Sequence, residues 1–145
     1  MSVPKIAVDA DVLLAHSRGA ASPSVLRQTL GKFFCYTTVF SAIEAFAACR
    51  TGSEIDAVTD TMAAMKVLGL NPKNARMYAG MLSGARSDAT LHVLAAGLCI
   101  ESRLPLLTGR VRNFRRFAGL HLVPSGLVAR YASGVEILSV SGKKP

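Results

Sequence analysis

The stretch KIAVDADVLL, residues 5 to 14, sets Asp9 and Asp11 one residue apart between two apolar runs. Carboxylates are seldom placed inside a hydrophobic stretch unless something pairs with them. Two further acids stand at comparable places: Glu44 in TTVFSAIEAFAA and Asp88 in SDATLHVLAAGLCIESRLPLLT. If carboxylates from such segments converge, two of them at 4 Å repel by about 4 kcal/mol at an effective dielectric near 20. A proton or a cation must then sit among them. All-oxygen ligation suits Mg2+ or Mn2+ better than zinc, and a hard cation of that kind can activate water and clamp a phosphoryl oxygen.

Each acid also has a plainer explanation. Ser41-x-x-Glu44 has the form of a capping box. Asp88 suits the positive end of a helix. Asp9 or Asp11 could cap the helix after the first apolar run. His92 lies four residues after Asp88, on the same helix face. It could serve a metal or shuttle a proton, and equally be a satisfied core histidine.

Segments of alternating type must position these residues. Strands are expected at 6–8, 33–37, 104–107, 120–123 and, at an edge, 135–140. Helices are expected at 11–16, from Ser22-Pro23 to residue 30, at 41–48, 53–68, 71–82 and 87–102, with a short one after Ser125. The helix at 87–102 is apolar all round and should be buried. Short apolar strands alternating with helices predict a three-layer α/β/α sandwich around a mainly parallel sheet. Ligands bind such sheets beyond the carboxyl ends of the strands. Asp9, Glu44, Asp88 and Thr108 all fall near that edge.

The chain has 145 residues, half of them hydrophobic and 18% charged, which fits a single folded domain, 1–145, and argues against a disordered chain. Residues 131–145 read as an extra edge strand followed by a tail. The formal charge is +8, and the stretch between Glu101 and Glu136 holds no acid but contains Arg103, Arg110, Arg112, Arg115, Arg116 and Arg130. This is either a solvated basic face or a surface for a phosphate backbone, and arginine favours the second by gripping phosphate at two points. Cys35, Cys49 and Cys99 show no paired or zinc-binding spacing. They read as small buried hydrophobes of a reducing, cytoplasmic setting. No signal peptide or membrane-spanning run is expected.

The order and spacing of four stretches, IAVDADVLL, TTVFSAIEAFAA, SDATLHVLAAGLCIESRLPLLT and TGRVRNFRRFAGLHLV, resemble a PIN domain. The likeness is strongest to the VapC-type ribonuclease toxins of bacterial toxin–antitoxin pairs, and runs from about residue 5 to 131. It implies a PIN-like fold and a metal-dependent endoribonuclease acting on single-stranded RNA. It further implies Mg2+ or Mn2+ held by Asp9, Glu44 and Asp88, a homodimer, and a cognate antitoxin as partner. Asp11, Thr108 and Asn113 would support the site, and Arg110, Arg112, Arg115 and Arg116 would hold RNA at its rim. The last stretch departs from the pattern. Where many relatives carry a further acid, two residues after the threonine or just before the phenylalanine, this chain has Arg110 and Asn113. Fewer carboxylates disfavour a second metal. They leave open a PIN fold that binds RNA or a protein partner without cutting. IAVDADVLL also matches the opening of haloacid-dehalogenase-type phosphatases, but the later acids that chemistry needs are missing.

Overall fold

A computed structural model describes residues 3–142. Five short strands form one sheet: β1 (Lys5–Val8), β2 (Phe34–Thr38), β3 (Lys66–Leu68), β4 (Leu106–Thr108) and β5 (Leu122–Pro124). All four pairings are parallel, and the strand order is β3-β2-β1-β4-β5. Seven α-helices are present among the described residues: α1 (Ala10–Ser17), α2 (Val25–Leu30), α3 (Val39–Ala48), α4 (Gly52–Ala63), α5 (Ala75–Leu82), α6 (Thr90–Glu101) and α7 (Gly134–Ser141). The chain builds β2 and β3 to one side of β1, then β4 and β5 to the other. The order therefore reverses between β1 and β4, where a crevice opens at the strand ends.

The two-residue period of the strands sorts the core. Ile6, Val8, Leu107 and Val123 face one cluster, with Val12 and Leu13 of α1, Leu26 of α2, Val58 of α4 and Ile137 of α7. Ala7 and Leu106 face the other, with Ala96 and Cys99 of α6 and Phe114. Strands buried on both faces read as continuous apolar runs, which is why KIAV and LPLL carry no polar alternation. The expected α/β/α sandwich with a parallel sheet is the fold observed. Helix α6 is buried along Val93 and Ala95–Cys99, as its composition requires.

Two segments differ in type from expectation. The apolar spacing over 53–68 extends a helix to Leu68, but α4 ends at Ala63 and Lys66–Leu68 pairs with β2 as an edge strand. The Val67-Leu68 pair fits either period, and pairing with β2 decides it. The apolar run 135–140 is a helix and not an edge strand: Ser133 caps α7 by accepting from the Glu136 amide, and Ile137 is fully buried against the sheet. The tail expected at 141–145 is shorter at its start, since Ser141 is the last residue of α7 and Gly142 its C-cap, while residues 143–145 lie outside the described residues. The Ser22-Pro23 cap also shifts, since Ser24 caps α2 by accepting from Arg27.

Helix α7 can dock only because Gly134 has no side chain. A Cβ there would sit 2.6 Å from the Lys32 carbonyl oxygen and 2.7 Å from Pro4 Cγ. Gly134→Ala should therefore destabilise the fold by about 1–3 kcal/mol. Chemical denaturation of the two proteins measures this, and equal midpoints would show that α7 is not held at this contact.

Candidate functional site

Asp9 ends β1 and is 1% exposed. Its Oδ1 accepts from the Ala10 amide and so caps α1, while Oδ2 accepts from the Thr108 hydroxyl at 2.7 Å. Thr108 ends β4, so this hydrogen bond closes the crevice at the reversal point. Asp11 belongs to the first turn of α1. Its two oxygens accept from the Val12 amide and, across the crevice, from the Gly109 amide at 2.9 Å. The approach is close: a Cβ on Gly109 would lie 2.8 Å from Asp11 Oδ2, so the Asp11 carboxylate would have to shift.

Glu44 reaches the site because a different residue caps its helix. The Thr38 hydroxyl accepts from the Ser41 amide, making Thr38 the N-cap of α3 and releasing Glu44 from the expected capping box. Glu44 then lies in the second turn and points into the crevice.

Arg110 joins these acids. Its Nε donates to Asp9 Oδ2 at 3.2 Å, and its Nη2 donates to both Asp9 oxygens at 3.0 Å and to Glu44 Oε1 at 3.2 Å. Nη1 donates to Glu44 Oε2 at 2.5 Å. The guanidinium thus touches all four carboxylate oxygens. Expected at the RNA-facing rim, it is instead turned inward. Its backbone is pinned as well, since the Arg110 amide donates to Thr108 Oγ1. His92, on α6, places Nε2 3.4 Å from Glu44 Oε1 and stacks at a tilt on Phe114.

The electrostatics follow from this arrangement. Burial opposes ionisation of Glu44, but hydrogen bonds from His92 and Arg110 outweigh it and hold the carboxyl down at about 2. Asp11 moves the other way: burial and the neighbouring Asp9 charge push it up to about 6, against the Gly109 hydrogen bond. Burial works against the Arg110 cation, and the Glu44 and Asp9 carboxylates more than offset it, raising its pKa. Burial, with a smaller push from Asp9, takes the Cys99 thiol up to about 12.

Asp88 stands apart from this knot. It lies in a short 3-10 turn before α6, its side chain is 71% exposed, and it pairs with Arg86 at 3.3 Å. Among the described residues no group of three His, Cys, Asp or Glu side chains is placed to hold a metal ion. The two acids that do meet give their oxygens to Arg110. As arranged, the donor set does not fit a divalent cation. Asp88 instead shares a cleft of about 400 Å3 with Arg86, Ala89, His92, Arg112, Asn113 and Arg116. Of the residues expected at an RNA surface, Arg112 and Arg116 line that cleft, and Arg115 is exposed outside its lining.

The sequence matches no family model and no curated protein. Solved structures do match. VapBC2 from Rickettsia felis, bound to a DNA fragment from its promoter, superposes with a TM-score of 0.64 at 9% identity over 81% of this chain and 96% of that one. VapBC-1 from nontypeable Haemophilus influenzae gives a TM-score of 0.64 at 14% identity over 84% and 98%. PAE2754 from Pyrobaculum aerophilum gives 0.60 at 18% identity over 90% and 96%. The likeness to VapC-type PIN proteins expected from the four stretches therefore holds at the level of the fold, and the chain has the PIN-like architecture. No described helix is long and apolar enough to cross a membrane.

The two shifted carboxyls predict opposite pH signatures. Glu44 is depressed from 4.5 to about 2, so its stabilising contribution is complete above pH 4.5 and is lost as pH falls toward 2. Glu44→Gln should cost on the order of 2–3 kcal/mol at neutral pH, and the gap from wild type should close on acidification through that window. Asp11 is raised from 3.8 to about 6, so its charge costs stability above pH 6 and costs nothing below 3.8. Asp11→Asn, which gives up one of the two accepted amide bonds, should therefore gain on wild type as pH rises from 3.8 through 6. Unfolding midpoints of the three proteins across pH measure both; a pH-independent gap for Glu44→Gln would contradict the assignment.

Proposed function

We propose that this chain is a PIN-fold protein of the toxin–antitoxin type that engages single-stranded RNA through its arginine-lined cleft, with its acid pocket closed by Arg110. The observation that carries the reading is the cleft itself. Three arginines, Arg86, Arg112 and Arg116, converge with His92 and Asn113 beside the strand ends where α/β folds bind ligands. The net charge of +8 adds long-range attraction for a polyanion. Arginine can grip phosphate at two points, and Asn113 offers a side-chain amide for a base edge.

The metal-dependent endoribonuclease is a second reading, favoured by one observation: at the sheet's reversal point Asp9, bonded to Thr108, and Glu44 are gathered on one side chain, Arg110. In that reading Asp9, Glu44 and Asp88 are the catalytic acids. Arg110 and the exposure of Asp88 speak against it. A cognate antitoxin is proposed as protein partner by analogy with the VapBC assemblies, together with a homodimer and a cytoplasmic setting. The free cysteines, two of them buried, are in keeping with that setting.

The test uses labelled single-stranded RNA with the full chain, with and without Mg2+ or Mn2+. The proposed reading expects binding whose strength falls steeply with salt and no metal-dependent cleavage. Arg112→Ala together with Arg116→Ala should weaken binding and reduce the salt slope by about 1.4, at roughly 0.7 per phosphate contact on a single strand. Metal-dependent cleavage lost in both Asp9→Asn and Asp88→Asn would establish the nuclease reading instead. RNA binding unaffected by the double arginine change would remove the cleft as the binding surface. For the partner, the antitoxin pairing expects a small reading frame adjoining this gene whose product co-purifies with the chain on co-expression; no such frame, or separate elution, would count against it.

A further inference from the structure

We propose that the Arg110 guanidinium is a permanent built-in cation occupying the place of a divalent ion between Asp9 and Glu44, so that the oxygens of both acids are taken up from within and the pocket binds no metal.

The geometry leads there. A small divalent cation needs carboxylate oxygens at about 2.0–2.1 Å in near-octahedral array. All four oxygens of Asp9 and Glu44 are already acceptors for Arg110, through Nε, Nη1 and Nη2. A divalent ion there would have to sit against the guanidinium, like charge on like charge, in a pocket where Asp9 is 1% exposed and Arg110 only 29%. Arginine cannot relieve the clash by losing its proton. The ion and the guanidinium therefore exclude each other.

Nor is Arg110 free to drift. Its amide donates to Thr108 Oγ1, its carbonyl accepts from the Asn113 amide, and the preceding Gly109 amide is held by Asp11. Phe114, four residues on, is fully buried. The loop after β4 thus delivers the side chain from a fixed backbone. Both Asp11 oxygens accept from the Val12 and Gly109 amides, so removing Arg110 would leave Asp9 and Glu44 facing one space without a cation, with the Asp11 charge nearby.

The inference is independent of RNA binding, and its test contains no RNA. Full-length protein is titrated with Mn2+, followed by the loss of the free-ion electron paramagnetic resonance signal and by the thermal unfolding midpoint, with a chelator as control. Wild type should leave the free-ion signal and the midpoint unchanged. Arg110→Ala should show a lowered midpoint in chelator, recovery on adding Mn2+, and stoichiometric uptake of the ion. Arg110→Gln, which keeps most of the stem's packing, should behave alike, and adding Asp9→Asn to either should abolish the uptake. A variant that folds only with Mn2+ present also supports the proposal. Mn2+ uptake by wild type that disappears in Asp9→Asn would overturn it. So would variants that take up no Mn2+, whether folded or not.

Discussion

The contact between one guanidinium and two carboxylates determines what the strand ends of this protein can do. Asp9 is almost wholly removed from water, and a buried carboxylate persists only with a partner. In this fold the partner is covalently part of the chain. Arg110 satisfies Asp9 and Glu44 together, ties the loop after β4 to the start of α3, and replaces a need for solute with a side chain. Removing one member of such a set leaves an uncompensated charge, which is costlier than never having built the pair. The pocket is therefore conditional on Arg110 in a way that few surface ion pairs are.

The fold supplies the positions. Reversal of strand order between β1 and β4 opens the crevice, Thr108 bridges it to Asp9, and the parity of residues along β1 and β4 sets Asp9 and Thr108 on the face of the sheet that carries α6. Helix α6 in turn contributes His92, which touches Glu44 on one side and lines the arginine cleft on the other. One imidazole thereby connects the arginine-filled acid pocket with the surface best suited to phosphate.

Much of this was legible in the residues. The buried strands, the helix at 87–102, the parallel sandwich and the approach of Asp9, Glu44 and Thr108 follow from apolar periodicity and from the rule that polar residues gather at strand ends. What was not legible depends on choices between equivalent partners. Thr38 and Ser41 are both competent caps, and which one is used decides whether Glu44 is a capping residue or a site residue. Residues 66–68 and 135–140 suit either a strand or a helix, and tertiary pairing selects. Arg110 lies in an arginine-rich stretch, where charge alone indicates an outward rim; only the strand-end geometry shows that this one side chain turns back upon the acids. Asp88, whose place at a helix start suggested convergence, is instead satisfied by Arg86 two residues away.

The central claim is that Arg110 and Glu44 stabilise the fold as a coupled unit in the absence of any ion. A double-mutant cycle measures this directly, using Arg110→Met and Glu44→Gln singly and together in chelator at neutral pH, with unfolding free energy as the readout. A coupling of about 1–3 kcal/mol is expected, because each single change strands its partner. Additivity to within about 0.5 kcal/mol would mean that the two side chains act independently, and would contradict the account of a pocket whose acids are held by Arg110.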